Sequence, residues 1–354
     1  MNRRDMLFSM ASGLAAFTLT GVARAAGEVA KKARLGIADF SYNICLRAER
    51  TGRIKGRLSD PLNFLDHCHN VGAGGVQMNI GVRDEDYTRK LRQKVEAYNM
   101  FIEGSAFLPK DKVGVERFEA AMLTANQAGA RVTRIAIGGR RYEQFSEAQQ
   151  FKAFAERTLE SLQLAEPAAA RHRMRLAIEN HKDWRIDEML DMLRRISSEY
   201  VGVCVDTGNS FALLEDSIAV AKAYAPYALA AHLKDMAVAE YEDGFLLADV
   251  PLGQGLLDMP QIVRILRKAR PELQFSLEMA TRDPLKVPCL KEKYWATFDD
   301  VPGSNLARTL RYVRANASSE QMPKVNHLPL DEQVRLEEAN IEKCLAYAKE
   351  HLEL

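Results

Sequence analysis

The run Val201-Gly-Val-Cys-Val-Asp206-Thr-Gly-Asn209 is five apolar or small residues that stop on an aspartate. An acid closing a buried segment is costly unless it is paired or bound to a metal. Three other runs in the same half of the chain close in a similar way. They are Arg175-Leu-Ala-Ile-Glu179-Asn180-His181, Ala230-Ala-His232-Leu-Lys234-Asp235 and Phe275-Ser-Leu-Glu278-Met279. Each is short, apolar and β-rich, which reads as a strand.

Outward from these, four more strand candidates lie upstream: Leu35–Phe40, Gly75–Ile80, Met100–Ala106 and Val132–Ile137. With Arg175–Asn180, Val201–Asp206, Leu229–Leu233 and Gln274–Met279 they make eight. Helical patterns fill the intervals, at Pro61–Val71, Glu85–Asn99, Val115–Ala128, Glu147–Arg171, Ile186–Ser197, Ser217–Ala225 and Met259–Ala269. Their apolar residues recur every three or four positions, as in Phe118, Met122 and Leu123. Ser146 ahead of Glu147, and Asp187 with Glu188, read as helix starts; Gly72, Gly74 and Gly129 read as helix ends. Strict alternation means parallel strands with crossover helices. Eight units predict an α/β fold, a closed (β/α)8 TIM barrel over residues 33–280. An open dinucleotide-binding sheet is the alternative, but no Gly-x-Gly-x-x-Gly follows the first strand.

Two segments exceed a minimal barrel. Ala237–Val250 reads as a hairpin turning at Asp243-Gly244, placed over the catalytic face. Residues 281–354 read as a C-terminal helical extension packed on the barrel, with helical patterns near Asn305–Ala315 and Leu330–Leu352. At the other end, Arg3-Arg4 precedes a mildly apolar run, Leu7–Val22, and Ala23-Arg24-Ala25 offers small residues to a signal peptidase. Residues 1–25 are therefore expected to be a twin-arginine signal peptide, which places the mature protein in the periplasm without a stable membrane anchor. An uncleaved anchor is the alternative, though the run is short for a span of about 20 residues.

Lysine plus arginine, 49, nearly equals aspartate plus glutamate, 48, so a net charge of +1 gives no electrostatic reason to expect nucleic acid as a partner. Five cysteines, Cys45, Cys68, Cys204, Cys289 and Cys344, form no Cys-x-x-Cys pair. Cys204 sits in an apolar run and reads as core; a disulfide among the others stays open.

In a barrel the C-terminal strand ends converge on one rim. Four consecutive strands would then bring Glu179, Asp206, His232 and Glu278 within reach of one ion. Each alone is more often a helix cap, an ion-pair partner or a core histidine; their serial placement is what points to a metal. Three carboxylates and an imidazole favour Mn²⁺, the first choice here, with Mg²⁺, Co²⁺ or Zn²⁺ over soft Cu(I).

The strings Ile178-Glu-Asn-His181, Val205-Asp-Thr-Gly-Asn209, His232-Leu-Lys-Asp235 and Leu277-Glu278 resemble the xylose isomerase-like TIM barrel family. That sugar phosphate isomerase/epimerase superfamily includes D-tagatose 3-epimerase and inosose dehydratase. The resemblance runs from about Leu35 to Met279. It implies that Glu179, Asp206, His232 and Glu278 ligate one divalent ion, and that Glu179 and Glu278 double as the acid/base pair. It also departs from the ketohexose epimerases, which resemble Asp-Thr-x-His in the sixth strand and carry an arginine six residues after the seventh-strand histidine. This chain has Asn209 and Val238 there, and its His232-Leu-Lys234-Asp235 string is more like inosose dehydratase.

The expected activity is an isomerase or epimerase of a keto-sugar or polyol, working by proton abstraction next to a carbonyl through an enediolate. The alternative is a lyase or dehydratase acting on a 3-keto-glycoside or inosose. A nuclease would need a basic face, and a non-catalytic sugar-binding protein would not need all four ligands. The expected partner is a small-molecule sugar, and a homo-oligomer stays open. His181, Lys234, Asn209, Glu103 and Arg140 are the expected substrate contacts, with Asn79 and Arg141 as further rim candidates.

Overall fold

Eight short strands form the barrel. In the computed structural model, which describes residues 34–354 except 57, 299 and 318–321, they are β1 (Gly36–Ala38), β2 (Gly75–Met78), β3 (Phe101–Ala106), β4 (Val132–Ile135), β5 (Arg175–Glu179), β6 (Val201–Asp206), β7 (Ala228–Leu233) and β10 (Phe275–Leu277). The ladder closes in the order β1-β10-β7-β6-β5-β4-β3-β2, parallel throughout. This is the expected closed (β/α)8 barrel. The first strand is shorter than Leu35–Phe40, because the chain turns into a 3-10 helix at Asp39–Tyr42. Ser41 then joins the seam: its hydroxyl donates to Leu277 O at 2.9 Å and accepts from Met279 N at 3.1 Å. The expected export segment, residues 1–25, lies outside the described residues. No described helix is long and apolar enough to cross a membrane.

The helices are α1 (Asn43–Arg50), α2 (Pro61–Asn70), α3 (Glu85–Ala97), α4 (Lys112–Gln127), α5 (Arg141–Gln144), α6 (Ala148–Arg171), α7 (Ile186–Ile196), α8 (Ser217–Tyr224), α9 (Met259–Ala269), α10 (Glu292–Trp295), α11 (Gly303–Asn316) and α12 (Leu330–His351). Gly72 and Gly129 follow α2 and α4 with φ of +88° and +101°, the left-handed conformation of a helix end. Glu188 caps α7 by accepting from Arg185 N at 2.9 Å. Ser146 does not cap α6; the helix starts at Ala148, and the Ser146 N–H instead donates to Gln150 Oε1 at 2.9 Å.

The C-terminal segment packs into the barrel's own core. Ile341, Cys344, Ala348 and Leu352 of α12 are buried in the same core as the barrel strands. Glu337 of α12 accepts the N–H groups of Ile44 and Cys45 at 2.8 and 3.0 Å, capping the start of α1. At its other end Leu352 O accepts from Arg267 of α9 at 3.2 Å. α12 therefore completes the outer ring between α9 and α1. The hairpin is also larger than expected: β8 (Asp235–Tyr241) pairs with β9 (Gly244–Val250), and β11 (Leu285–Val287) adds a third antiparallel strand. Gly244 turns it at φ +152°, where any side chain would strike the Val287 carbonyl.

Candidate metal centre

Glu179 and Asp206 end their strands, His232 is the penultimate residue of β7, and Glu278 follows β10. Parallel register sets Asp206 beside His232, and His232 beside Ser276. Each of the four residues offers a ligand atom within 4.8 Å of the others, and all four are buried.

Local bonds aim each group. The turn Asp206-Thr-Gly-Asn209 folds back so that Gly208 N and Asn209 N donate to Asp206 Oδ1 at 3.0 and 2.9 Å, leaving Oδ2 for the centre. A Cβ at Gly208 would lie 2.7 Å from the Met236 sulfur, so a larger residue there would have to displace that side chain. Asn180 clamps the Asp206 backbone on both sides, accepting its N–H at 2.8 Å and donating to its carbonyl at 2.9 Å. His232 Nε2 lies 2.6 Å from Gln77 Oε1, and Gln77 Nε2 donates to Glu103 Oε2 at 2.8 Å. That chain fixes the amide orientation, puts the imidazole proton on Nε2 and leaves a lone pair on Nδ1. His232 Nδ1 is buried without a hydrogen-bond partner, and Glu278 Oε1 is 3.4 Å away. An inward lone pair beside three carboxylates fits a divalent ion.

Cations thread the carboxylates. The Arg134 guanidinium, rising from mid-β4, donates through Nε to Glu179 Oε2 at 2.6 Å and approaches Glu278 at 3.5 Å. Lys234 Nζ lies 2.8 Å from Glu278 and 3.0 Å from Asp206. Burial pushes the Glu278 carboxyl up, but Lys234, the strongest of the opposing causes, helps hold the group well below the usual range. Burial likewise opposes Arg134 at Glu179, and Arg134 prevails. Burial wins at Asp206, whose carboxyl is raised despite Lys234.

The other expected contacts divide. Asn209 lies in the centre, donating from Nδ2 to Glu179 Oε1 at 3.2 Å while its Oδ1 accepts from Lys182 and, at 3.5 Å, from Lys234. Lys234 faces the carboxylates, so its salt bridges and a substrate contact are compatible. His181 bonds Gly139 O at 3.2 Å, and burial with Lys182 lowers it to about 4, so it is neutral. Glu103 is corrected: it does not sit on the rim but inside the barrel beside Gln77, where burial raises it to about 7. Arg140 pairs with Glu143 at 2.8 Å, outside the four-residue cluster. Asn79 is exposed and its N–H donates to Asp39 Oδ2 at 3.2 Å. Arg141 is buried against the Phe151 ring at 3.4 Å and bonds Thr297 and Glu188, which ties the C-terminal segment down. Asp235 bonds Met236, Gly253, Gly255 and Leu257 backbone N–H groups and shapes the loop after the hairpin.

Sequence reasoning missed Arg134, Gln77, Lys182, Asp249 and Arg282. The signal was present for the first two: a charge or an amide inside an apolar strand needs a buried partner. Asp249 and Arg282 carried none, since their pairing at 3.1 Å joins the hairpin to the stretch after β10.

A family model for the xylose isomerase-like TIM barrel matches residues 65–297. The chain belongs to that family. Among curated proteins it is 30% identical over 103 residues to the 3-oxo-isoapionate decarboxylase of Pectobacterium atrosepticum, a match covering 28% of this chain and 38% of that protein's length. Among solved structures, the 3-keto-D-glucoside 4-epimerase YcjR from E. coli shares the fold with a TM-score of 0.53 at 11% identity, covering 80% of this chain and 100% of that one. The IOLI protein, described with a bound zinc atom, shares it with a TM-score of 0.50 at 14% identity, covering 81% and 99%.

Proposed function

We propose that this protein is a divalent-metal-dependent isomerase or epimerase of a keto-sugar or related polyol. The observation that carries the reading is the convergence of Glu179, Asp206, His232 and Glu278, with an unpartnered imidazole nitrogen facing three carboxylates. The donor set suits Mn²⁺, Mg²⁺, Co²⁺ or Zn²⁺. A divalent ion held there would supply Lewis acidity toward a substrate carbonyl, which acidifies the neighbouring C–H.

The chain's own residues do the rest. Glu179 and Glu278 are held ionised at neutral pH by Arg134 and Lys234, so either can accept that proton. Arg134 touches both, while Asn209 bonds Glu179 alone and Lys234 bonds Glu278. In this reading one carboxylate takes a proton from one face of a carbon and the other returns one to the opposite face. Lys234 is placed to donate an N–H to a substrate oxygen. Burial of all of these groups excludes water from the developing charge.

A second reading, a lyase or dehydratase acting on a 3-keto-glycoside or inosose, is favoured by Lys182. Burial, and then Lys234, lower its ammonium to about 8, which suits a proton donor to a leaving oxygen. One experiment separates the two: keto-sugars and 3-keto-glycosides are incubated with the metal-loaded enzyme in D₂O and followed by NMR. Deuterium entering the carbon beside the carbonyl, with a stereoisomer or an aldose–ketose partner as product, is the expected result. An unsaturated keto-sugar or a released aglycone means the lyase. Glu179→Gln and Glu278→Gln should each lower turnover by on the order of 10²–10⁴. Full activity in both variants would sink the acid/base assignment.

A further inference from the structure

The charges around the centre do not balance once an ion joins them. Glu179, Asp206, Asp249 and Glu278 supply four negative charges, and Arg134, Lys182, Lys234 and Arg282 supply four positive ones. A divalent ion would leave this set positive by two; the other buried carboxyls nearby, Asp39 and Asp183, are both pushed toward their neutral forms by burial. Three carboxylates and an ion, without the extra cations, would instead be negative by one. Excess buried charge of one sign is costly and calls for a partner.

The surplus has a location. Arg134 is engaged with Glu179, and Lys234 lies between Asp206 and Glu278. Lys182 is different: it is 1% exposed, its bond is to Asn209 Oδ1, and no carboxylate among the described residues lies within ion-pair reach of it. An ammonium carries three N–H donors. The neighbouring Lys234 ammonium approaches the same amide oxygen at 3.5 Å, so two like charges share one neutral acceptor. Arg282 is among the charges that bear on Lys182, with Asp249 and Asp206 acting in the opposite sense. One of the Arg282 terminal nitrogens reaches Asp249 at 3.1 Å, while its Nε is buried without a partner. Its side chain is 32% exposed. The Tyr142 hydroxyl, also buried without a partner, lies in the field of Arg282. Asp249 Oδ1 and Asp206 Oδ2 are also buried without hydrogen-bond partners, so it is the cations themselves that set this side apart.

We propose that Lys182 and Arg282 form a carboxylate subsite, so that the substrate is a sugar-derived keto acid and not a neutral keto-sugar. This deepens the reading above and rests on it. Arg282 would supply its free Nε–H, and Lys182 its unused ammonium protons. The competing use of the surplus charge is to stabilise an enediolate formed from a neutral sugar. That use would not appear in ground-state affinity, whereas a carboxylate subsite would.

The test is calorimetric titration of the metal-loaded full-length protein with 2-keto-D-gluconate and with D-fructose. The keto acid should bind at least about tenfold more tightly, as one charge-assisted contact predicts. Arg282→Gln and Lys182→Met should bring the ratio of the two affinities to about one, with metal content unchanged by elemental analysis. Arg282→Gln carries the test alone if burial at Lys182 prevents folding of its variant. Equal wild-type affinities, or an unchanged ratio in Arg282→Gln, would overturn the subsite. Absence of metal and of solvent deuterium exchange in the same preparation would instead defeat the underlying reading, independently of which probe binds.

Discussion

The two halves of the barrel mouth are built differently. β5, β6, β7 and β10 bring their ionisable groups to the strand ends, where Glu179, Asp206, His232 and Glu278 meet. β2, β3 and β4 contribute from strand interiors: Gln77, Glu103 and Arg134. The first set forms the centre, and the second holds the first in place. Height along the strand explains the difference. Arg134 pairs in register with Ala177, two residues below Glu179 on the neighbouring strand, and only a long side chain rises to the carboxylate from there. Gln77 and Glu103 pair with each other lower still and reach the centre through His232 Nε2. A polar residue low in the barrel therefore sets orientation and charge, whereas one at the rim faces the ligand.

That contrast can be broken most sharply at His232. His232→Ala removes a candidate inner ligand and should abolish stoichiometric metal binding. Gln77→Leu removes only the group that fixes the ring, and should weaken binding by roughly 10–100-fold. Elemental analysis with metal titration measures both; equal losses would erase the distinction between the two halves.

Arg134→Met sharpens it in another way. Without the guanidinium, Glu179 and Glu278 lose a cation that favours their ionised forms. Their pKa values rise, and the acid limb of the kcat/KM profile should move to higher pH by on the order of one unit. An unshifted limb, with activity merely reduced, would make Arg134 a packing residue.

The smallest effect lies on the outer ring, far from the centre. Burial raises the Glu337 carboxyl from 4.5 to about 7 against its bonds to Ile44 and Cys45. The folded state thus holds that proton more tightly than the unfolded chain does. The stability this contributes is complete below about 4.5 and is lost as pH rises through about 7. Glu337→Gln keeps an acceptor and cannot titrate, so denaturant unfolding across this window should lose that slope. A slope identical to wild type would remove Glu337 from the account.

Barrel closure and the four converging residues were legible because period and termination are local properties. An apolar run that stops on Glu, Asp or His can be read without knowing its neighbours, and alternation with helices requires the strands to be parallel. The same reading placed Glu103 on the rim, because height within a strand depends on register, which no single run carries. It left α12 outside the barrel because the ring position that helix fills becomes visible only once α9 and α1 flank it. Arg140 and Arg141 are adjacent in the chain, yet one pairs with Glu143 at the edge while the other is buried beneath Thr297.

The sequence by itself determined which side chains were available at the ends of strands, and hence a centre of three carboxylates and one imidazole. Only the tertiary structure decided how that centre is charged. Lys182 and Arg282 are 100 residues apart in the chain, and Asp249 lies in a hairpin between them. Ion pairing acts over a few ångströms of space and is indifferent to sequence separation. The cations beside Asn209 therefore come together only in the folded barrel.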